Sequence, residues 1–138
     1  MTSWMLVEDE PDLYEMLLAM TQTMGVDGIA FSTGEEAVDW IEDVDAGMFQ
    51  GELPVLALLD IRLPGDIDGP MVGARLRQSR QLGHVRTILI TAFHLSPSEE
   101  ADVLHQADAD LLLYKPLPGF RELESILKGK RKRRKHPN

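Results

Sequence analysis

At 138 residues with no cysteine, the chain has the size of one domain and can bury a core without disulfides, and thiolate metal sites and cysteine nucleophiles are excluded. The net charge of −9 is unevenly placed: seven of the 14 Lys and Arg fall in KGKRKRRK at 128–135 and all 23 Asp and Glu precede it, so residues 1–127, with seven bases against 23 acids, carry −16. The N-terminus MTSWMLVEDEPD has acids where a secretory leader has bases, and no apolar run approaches the roughly 20 residues that span a bilayer, which predicts a cytoplasmic protein.

In chain order, Trp4 to Val7 reads as a short strand that ends in Glu8, Asp9 and Glu10. Pro11 suits the first turn of a helix; Leu13, Leu17, Met20 and Met24 recur at helical spacing until Gly25 stops the run. Met16, Met20, Met24 and Trp40 are expected in the core. Val26 to Phe31 is a second strand, followed through Ser32, Thr33 and Gly34 by a helix with Ala37, Trp40, Ile41 and Val44 on one stripe. The run PVLALLD is apolar until it stops at Asp60, then breaks into RLPGDIDG. Such a run reads as a strand buried on both faces, which implies a parallel sheet covered by helices.

A third helix starts at Gly69 and runs through Val72 and Leu76; Val85 to Ile90 is the fourth strand, ending at Thr91. Ser96 and Pro97 open a fourth helix with Glu99 and Glu100 in its first turn. Leu111 to Tyr114 is the last strand, ending at Lys115 before Pro116, and Phe120, Leu123, Ile126 and Leu127 form the last helix.

Five strands alternating with five helices predict an α/β fold: a doubly wound five-stranded parallel sheet, flavodoxin-like (βα)5, with strand order 2-1-3-4-5. The functional residues of such sheets gather at the carboxyl ends of the strands where the order reverses. Glu8, Asp9, Asp60, Thr91 and Lys115 occupy those ends. Strands one and three are neighbours in that order, so Asp9 and Asp60 meet, and adjacent carboxylates call for a proton or a cation. A hard divalent ion, most simply Mg²⁺, fits the oxygen donors. Lys115 and Thr91 suit phosphoryl oxygens, and Asp60 is a candidate nucleophile that forms an aspartyl phosphate. A lone strand-end Asp is more often a turn residue, but four coincident strand ends outweigh that reading for the set. Glu10 reads as a solvated helix-start acid. The four histidines show no ligand spacing.

From LVEDEP through LLDIRLPG and LITA to YKP the chain resembles the receiver domain of two-component response regulators. The order and spacing of the motifs carry the resemblance. It implies that Asp60 is the phosphoacceptor, that Glu8 and Asp9 are the Mg²⁺-binding pair, and that the backbone carbonyl of Arg62 is a further metal ligand. Thr91 becomes the switch hydroxyl and Lys115 the phosphate-contacting lysine, with a cis peptide before Pro116. The implied role is phosphorelay signal transduction: Mg²⁺-dependent phosphoryl transfer from a sensor histidine kinase or phosphotransfer protein, switching contacts with a downstream protein. A receiver of this kind catalyses only its own phosphorylation and dephosphorylation and is not otherwise an enzyme. Two departures stand out. The loop RLPGDIDG is one residue longer between PG and DG than the family pattern. Leu112 stands where the family has Tyr or Phe, three residues before the lysine, although Tyr114 shares its strand face.

Residues 1–128 thus read as one receiver and 129–138 as a basic, disordered tail too short for an effector. The tail is expected to be solvated or to meet the acidic body; nucleic-acid binding comes second, since it carries no aromatic for stacking. The reading is of a single-domain regulator, and homodimerisation is left open. Two rivals remain. One is a receiver-like binding module that ignores phosphorylation, which Leu112 favours. The other is a haloacid-dehalogenase-type phosphatase, against which stands Arg62 at the place where that family has a second Asp.

Overall fold

A computed structural model describes residues 2–129. Its elements alternate strictly: β1 (Ser3–Val7), α1 (Pro11–Thr23), β2 (Asp27–Phe31), α2 (Gly34–Asp45), β3 (Leu56–Asp60), α3 (Gly69–Gln78), β4 (Arg86–Thr91), α4 (Pro97–Ala107), β5 (Leu111–Tyr114) and α5 (Phe120–Leu127). All strand pairs are parallel, in the order β2-β1-β3-β4-β5, as the alternation predicts.

Every residue of β1 and β3 is buried, whereas the edge strands β2 and β5 are only partly covered. The period-two alternation of a strand divides the core in two. Met5, Val7, Ala57, Leu59 and Leu89 face one side, with Ala37 and Ile41 of α2 and Val72 and Leu76 of α3. Trp4, Leu6, Leu56, Leu58, Ile88 and Ile90 face the other, with Leu17 and Met20 of α1 and Leu123 and Leu127 of α5.

Three helices start on side-chain caps that occupy orphan N–H groups. Thr33 Oγ1 accepts from Glu36 N at 3.1 Å, and Asp68 Oδ1 from Met71 N at 2.9 Å. Ser96 and Glu99 form a reciprocal capping box at α4.

The expected core set needs a correction. Met20 is buried and Met24 half-buried, but Met16 is 48% exposed. It lies at the margin of the α1 stripe and lines a surface groove with Pro118 and Phe120. Trp40 packs at the edge, its ring 5.9 Å from Phe31 and 5.2 Å from Phe49. The expected basic tail lies, apart from Gly129, outside the described residues; Gly129 N still bonds back to Ile126 O.

Candidate functional site

The parallel register carries the four strand ends to one edge of the sheet. Val7 is level with Leu59, Asp60 with Ile90, and Thr91 with Tyr114. The residues just beyond those strands, Glu8 and Lys115, therefore arrive beside Asp60. Main-chain bonds extend the pairing past the strand ends: Glu8 N to Phe31 O, Ile61 N to Ile90 O, and Lys115 N to Thr91 O at 2.7 Å.

The β3–α3 connection turns back immediately, with Gly69 N bonded to Ile61 O at 2.9 Å. A Cβ at Gly69 would fall on the Asp60 carbonyl oxygen, so this close approach requires glycine. The longer loop between is shaped by Gly65, at φ +83°, and fastened from outside. Glu35 Oε2 of α2 accepts from Asp66 N at 2.8 Å, and these backbone bonds hold the Glu35 carboxyl below its ordinary pKa. Gly34 lets the start of α2 pack directly against Ile67.

Asp60 is only 5% exposed, and its two oxygens have different partners. Oδ1 accepts from Arg62 N at 3.2 Å and Oδ2 from Lys115 Nζ at 3.0 Å. Glu8 is also buried, with Lys115 Nζ 2.9 Å from its Oε1 and Glu10 N donating to its Oε2. Lys115 Nζ thus bridges the Glu8 and Asp60 carboxylates as the shared partner of both ion pairs. Burial raises the Glu8 carboxyl above its ordinary pKa, and the nearby Asp60 adds to the rise against the opposing pull of Lys115. Burial pulls Lys115 down, but the hydrogen bonds to Glu8 and Asp60 outweigh it and hold the ammonium above the ordinary lysine value.

Asp9 is exposed, but it joins the cluster: carboxylate oxygens of Glu8, Asp9 and Asp60 all lie within 4.8 Å of one another. Thr91, 1% exposed, closes the opposite side, and its Oγ1 accepts from Phe93 N at 3.1 Å. The Lys115–Pro116 peptide is cis. The residues expected at the site are thus brought to one place, with Arg62 in the loop between them.

Four features lay outside the sequence reading. The Arg62 guanidinium stacks over the Phe93 ring, 3.8 Å from its centroid, at the mouth of the site. Glu35 braces the loop. Arg77 joins α3 to the connections before β4 and β5. Tyr114 stacks on His94. Each pairs residues from different elements, so sequence spacing carries no trace of it.

Sequence and structure comparisons place this doubly wound sheet, with three acids, a threonine and a lysine at its carboxyl edge, in the class of response regulator receiver domains. The family profile of the response regulator receiver domain matches residues 5–128, and the chain belongs to that family. It is 28% identical over 124 residues to the polar-differentiation response regulator DivK of Brucella ovis, covering 90% of this chain and 92% of DivK. The receiver domain of the sensor histidine kinase PA1611 from Pseudomonas aeruginosa superposes with a TM-score of 0.74 at 27% identity, over 92% of this chain and 94% of that one; its structure has a magnesium ion coordinated in the active-site cleft. The signal receiver domain of a modulated diguanylate cyclase from Desulfovibrio desulfuricans gives 0.67 at 28% identity, over 90% and 89%. Among the described residues no helix is long and apolar enough to cross a membrane.

Proposed function

We propose that Asp60 accepts a phosphoryl group from a phosphohistidine of a sensor kinase or phosphotransfer protein, and that the phosphorylated chain changes its contacts with a downstream protein. The single observation that carries this reading is the nearly buried Asp60 carboxylate, held by Lys115 at 3.0 Å within a cluster of acids. Such a cluster is of little use to a fold unless a cation or phosphate joins it, since close carboxylates repel.

In the transfer, an Asp60 carboxylate oxygen attacks phosphorus; the new P–O bond forms as the P–N bond to the imidazole breaks, and the imidazole leaves with the electron pair. Lys115 stays beside Asp60 and offsets charge on the phosphoryl oxygens. Thr91 has its hydroxyl proton free to donate to one of them, because its oxygen already accepts from Phe93 N. Catalysis here is positioning plus electrostatic stabilisation. The chain turns over no other substrate.

The donor set suits Mg²⁺. Glu8, Asp9 and Asp60 supply hard oxygens, and the Arg62 carbonyl is the expected further ligand. Glu8, Asp9 and Asp60 each bring a carboxylate oxygen within 4.8 Å of the others, and these residues would hold the ion. When bound, the ion supplies charge neutralisation for the incoming phosphoryl group. The reaction belongs in the cytoplasm, where kinases of this class have their phosphohistidine.

The test is intact mass after incubation with Mg²⁺ and phosphoramidate. The natural chain should gain one phosphoryl group in a Mg²⁺-dependent way, and Asp60→Asn should gain none. A folded natural chain that gains nothing, from phosphoramidate or from a kinase, would transfer the weight to a phosphorylation-independent binding module. Leu112, packed into the helix-side core in place of an aromatic, is the observation that favours that second reading. The phosphatase alternative loses ground because Arg62, two residues after Asp60, is committed to the Phe93 ring and offers no general acid.

A further inference from the structure

The register that gathers the site at one edge of the sheet sets three residues side by side at the other. Trp4 is level with Leu56, and Leu56 with Arg86. Trp4 and Leu56 pack on the side of α1 and α5, and Arg86, two residues before Ile88 on its strand, shares that face. An apolar row thus ends in a guanidinium. Between this row and the ends of α1 and α5 lies a cavity of about 510 Å³, a size common for small-molecule sites. Its apolar wall includes Trp4, Met24, Val26, Leu56 and Leu127, and its polar wall includes His84, Arg86 and Lys128. No Asp or Glu among the described residues lines it, although residues 1–127 hold 23 acids against seven bases.

The fold accounts for only part of Arg86. Nη1 donates to Ile126 O at 2.6 Å and to Leu127 O at 3.4 Å, which caps the end of α5. Nε is buried and has no hydrogen-bond partner among the described residues, and no carboxylate among them pairs with the guanidinium. Buried donors are nearly always satisfied, and Arg is kept inside a fold mainly when it is paired. Lys128, exposed at the rim, has an ion pair with Glu124 at the long distance of 3.8 Å.

We propose that this cavity binds a small amphiphilic anion, a carboxylate or phosphate head on a short apolar body. Arg86 takes the head, since a guanidinium fork suits two oxygens. Lys128 and His84 flank it, and the body lies along Trp4, Val26 and Leu127. Because the same guanidinium holds the last carbonyls of α5, ligand and helix end are joined through one side chain. The cavity is at the opposite edge of the sheet from Asp60, so the proposal stands apart from the phosphoacceptor reading.

The experiment titrates the full chain with octanoate, octyl phosphate and octanol, read by amide and indole N–H NMR. At least one of the two anions should saturably move the Trp4 indole and the amides of Val55, Arg86 and Lys128, with a Kd of about 1 mM or lower; the tighter one identifies the head. Octanol has the same body without the charge and should bind about tenfold more weakly. Arg86→Gln should erase the advantage of the anions over octanol. That variant also gives up the α5 contact, so His84→Glu with Lys128→Glu, at two exposed positions, serves as the test if it fails to fold; the pair should weaken the anions about tenfold and leave octanol unchanged. No saturable shift with either anion overturns the proposal, as do octanol binding as tightly as the anions, shifts centred on Lys115, or variants that bind the anions like the natural chain. Asp60→Asn should bind them unchanged, which keeps this result separate from the fate of the phosphoacceptor reading.

Discussion

Arg77 shows how much one side chain can hold. Nε donates to Asp108 O at 3.0 Å, Nη1 to Gly83 O at 3.2 Å and to Val85 O, and Nη2 to Asp110 Oδ2 at 3.1 Å. Asp110 in turn accepts from Thr87 N at 2.9 Å, so the start of β4 and the turn before β5 are joined through one guanidinium. With Arg77 10% and Asp110 4% exposed, this is a nearly buried pair. Removing one partner of such a pair typically costs about 3–5 kcal/mol, and Arg77→Ala should lose an amount in that range by urea unfolding. Arg77→Lys should recover only a fraction, because an ammonium cannot match the planar fork. None of this was visible in the sequence, because the partners lie up to 33 residues away. Asp60, Thr91 and Lys115 were legible for the opposite reason: each marks the point where an apolar run stops, a local signal, and the topology then brings them together. Met16 was misread because helical spacing gives the direction of a stripe but not where the neighbouring helix ceases to cover it.

At the scale of elements, the strands are held by burial and the helices unequally. Helix α4 buries one residue fully, Ala107, and depends more than the others on its ends. Its capping box has Ser96 Oγ accepting from Glu99 N at 3.2 Å and Glu99 Oε1 accepting from Ser96 N at 2.9 Å. Ser96→Ala should destabilise the protein by about 1 kcal/mol. The amides of α4's first turn should exchange with solvent faster than those of α3, whose buried Val72, Gly73 and Leu76 anchor it. This element was readable because Ser-Pro followed by two glutamates is a start signal written within one turn. The strand order was readable because alternation with helices leaves few topologies. The shape of the loop after Asp60 was not, since its fastening comes from α2.

For the molecule as a whole, the ionisable groups set a stability window. Glu35, Asp45 and Glu99 have pKa values lowered in the fold, Glu35 and Glu99 foremost by backbone N–H groups and Asp45 foremost by the Ser79 hydroxyl. A group whose folded pKa is depressed stabilises the fold fully above its unfolded value, and that contribution fades as pH falls through the folded value. With ordinary values of 4.5 and 3.8, the loss begins near pH 4.5 and deepens below pH 4. Glu8, with a raised pKa, has the opposite sign: its protonation relieves a buried charge and partly offsets the loss. Lys115 is raised, so its stabilisation is fully present below its ordinary 10.5 and is lost as pH rises through the higher folded value. Urea midpoints from pH 3 to pH 12 should therefore form a plateau with an acid shoulder below about pH 4.5 and an alkaline decline above pH 10.5. In Asp45→Asn and Glu35→Gln the acid shoulder should be shallower.

The Glu35 brace gives the two lips of the cleft unequal compliance. One lip, the longer loop from Arg62 to Asp68, is bolted to the body of α2 by a carboxylate and by the direct seating of Gly34 under Ile67. The other, from Ala92 to Leu95, has the single Thr91 tether among its side-chain hydrogen bonds near the site. A vice so built has one braced jaw and one lightly held one, and the Arg62 guanidinium lying 3.8 Å from the Phe93 ring centroid is the clasp between them.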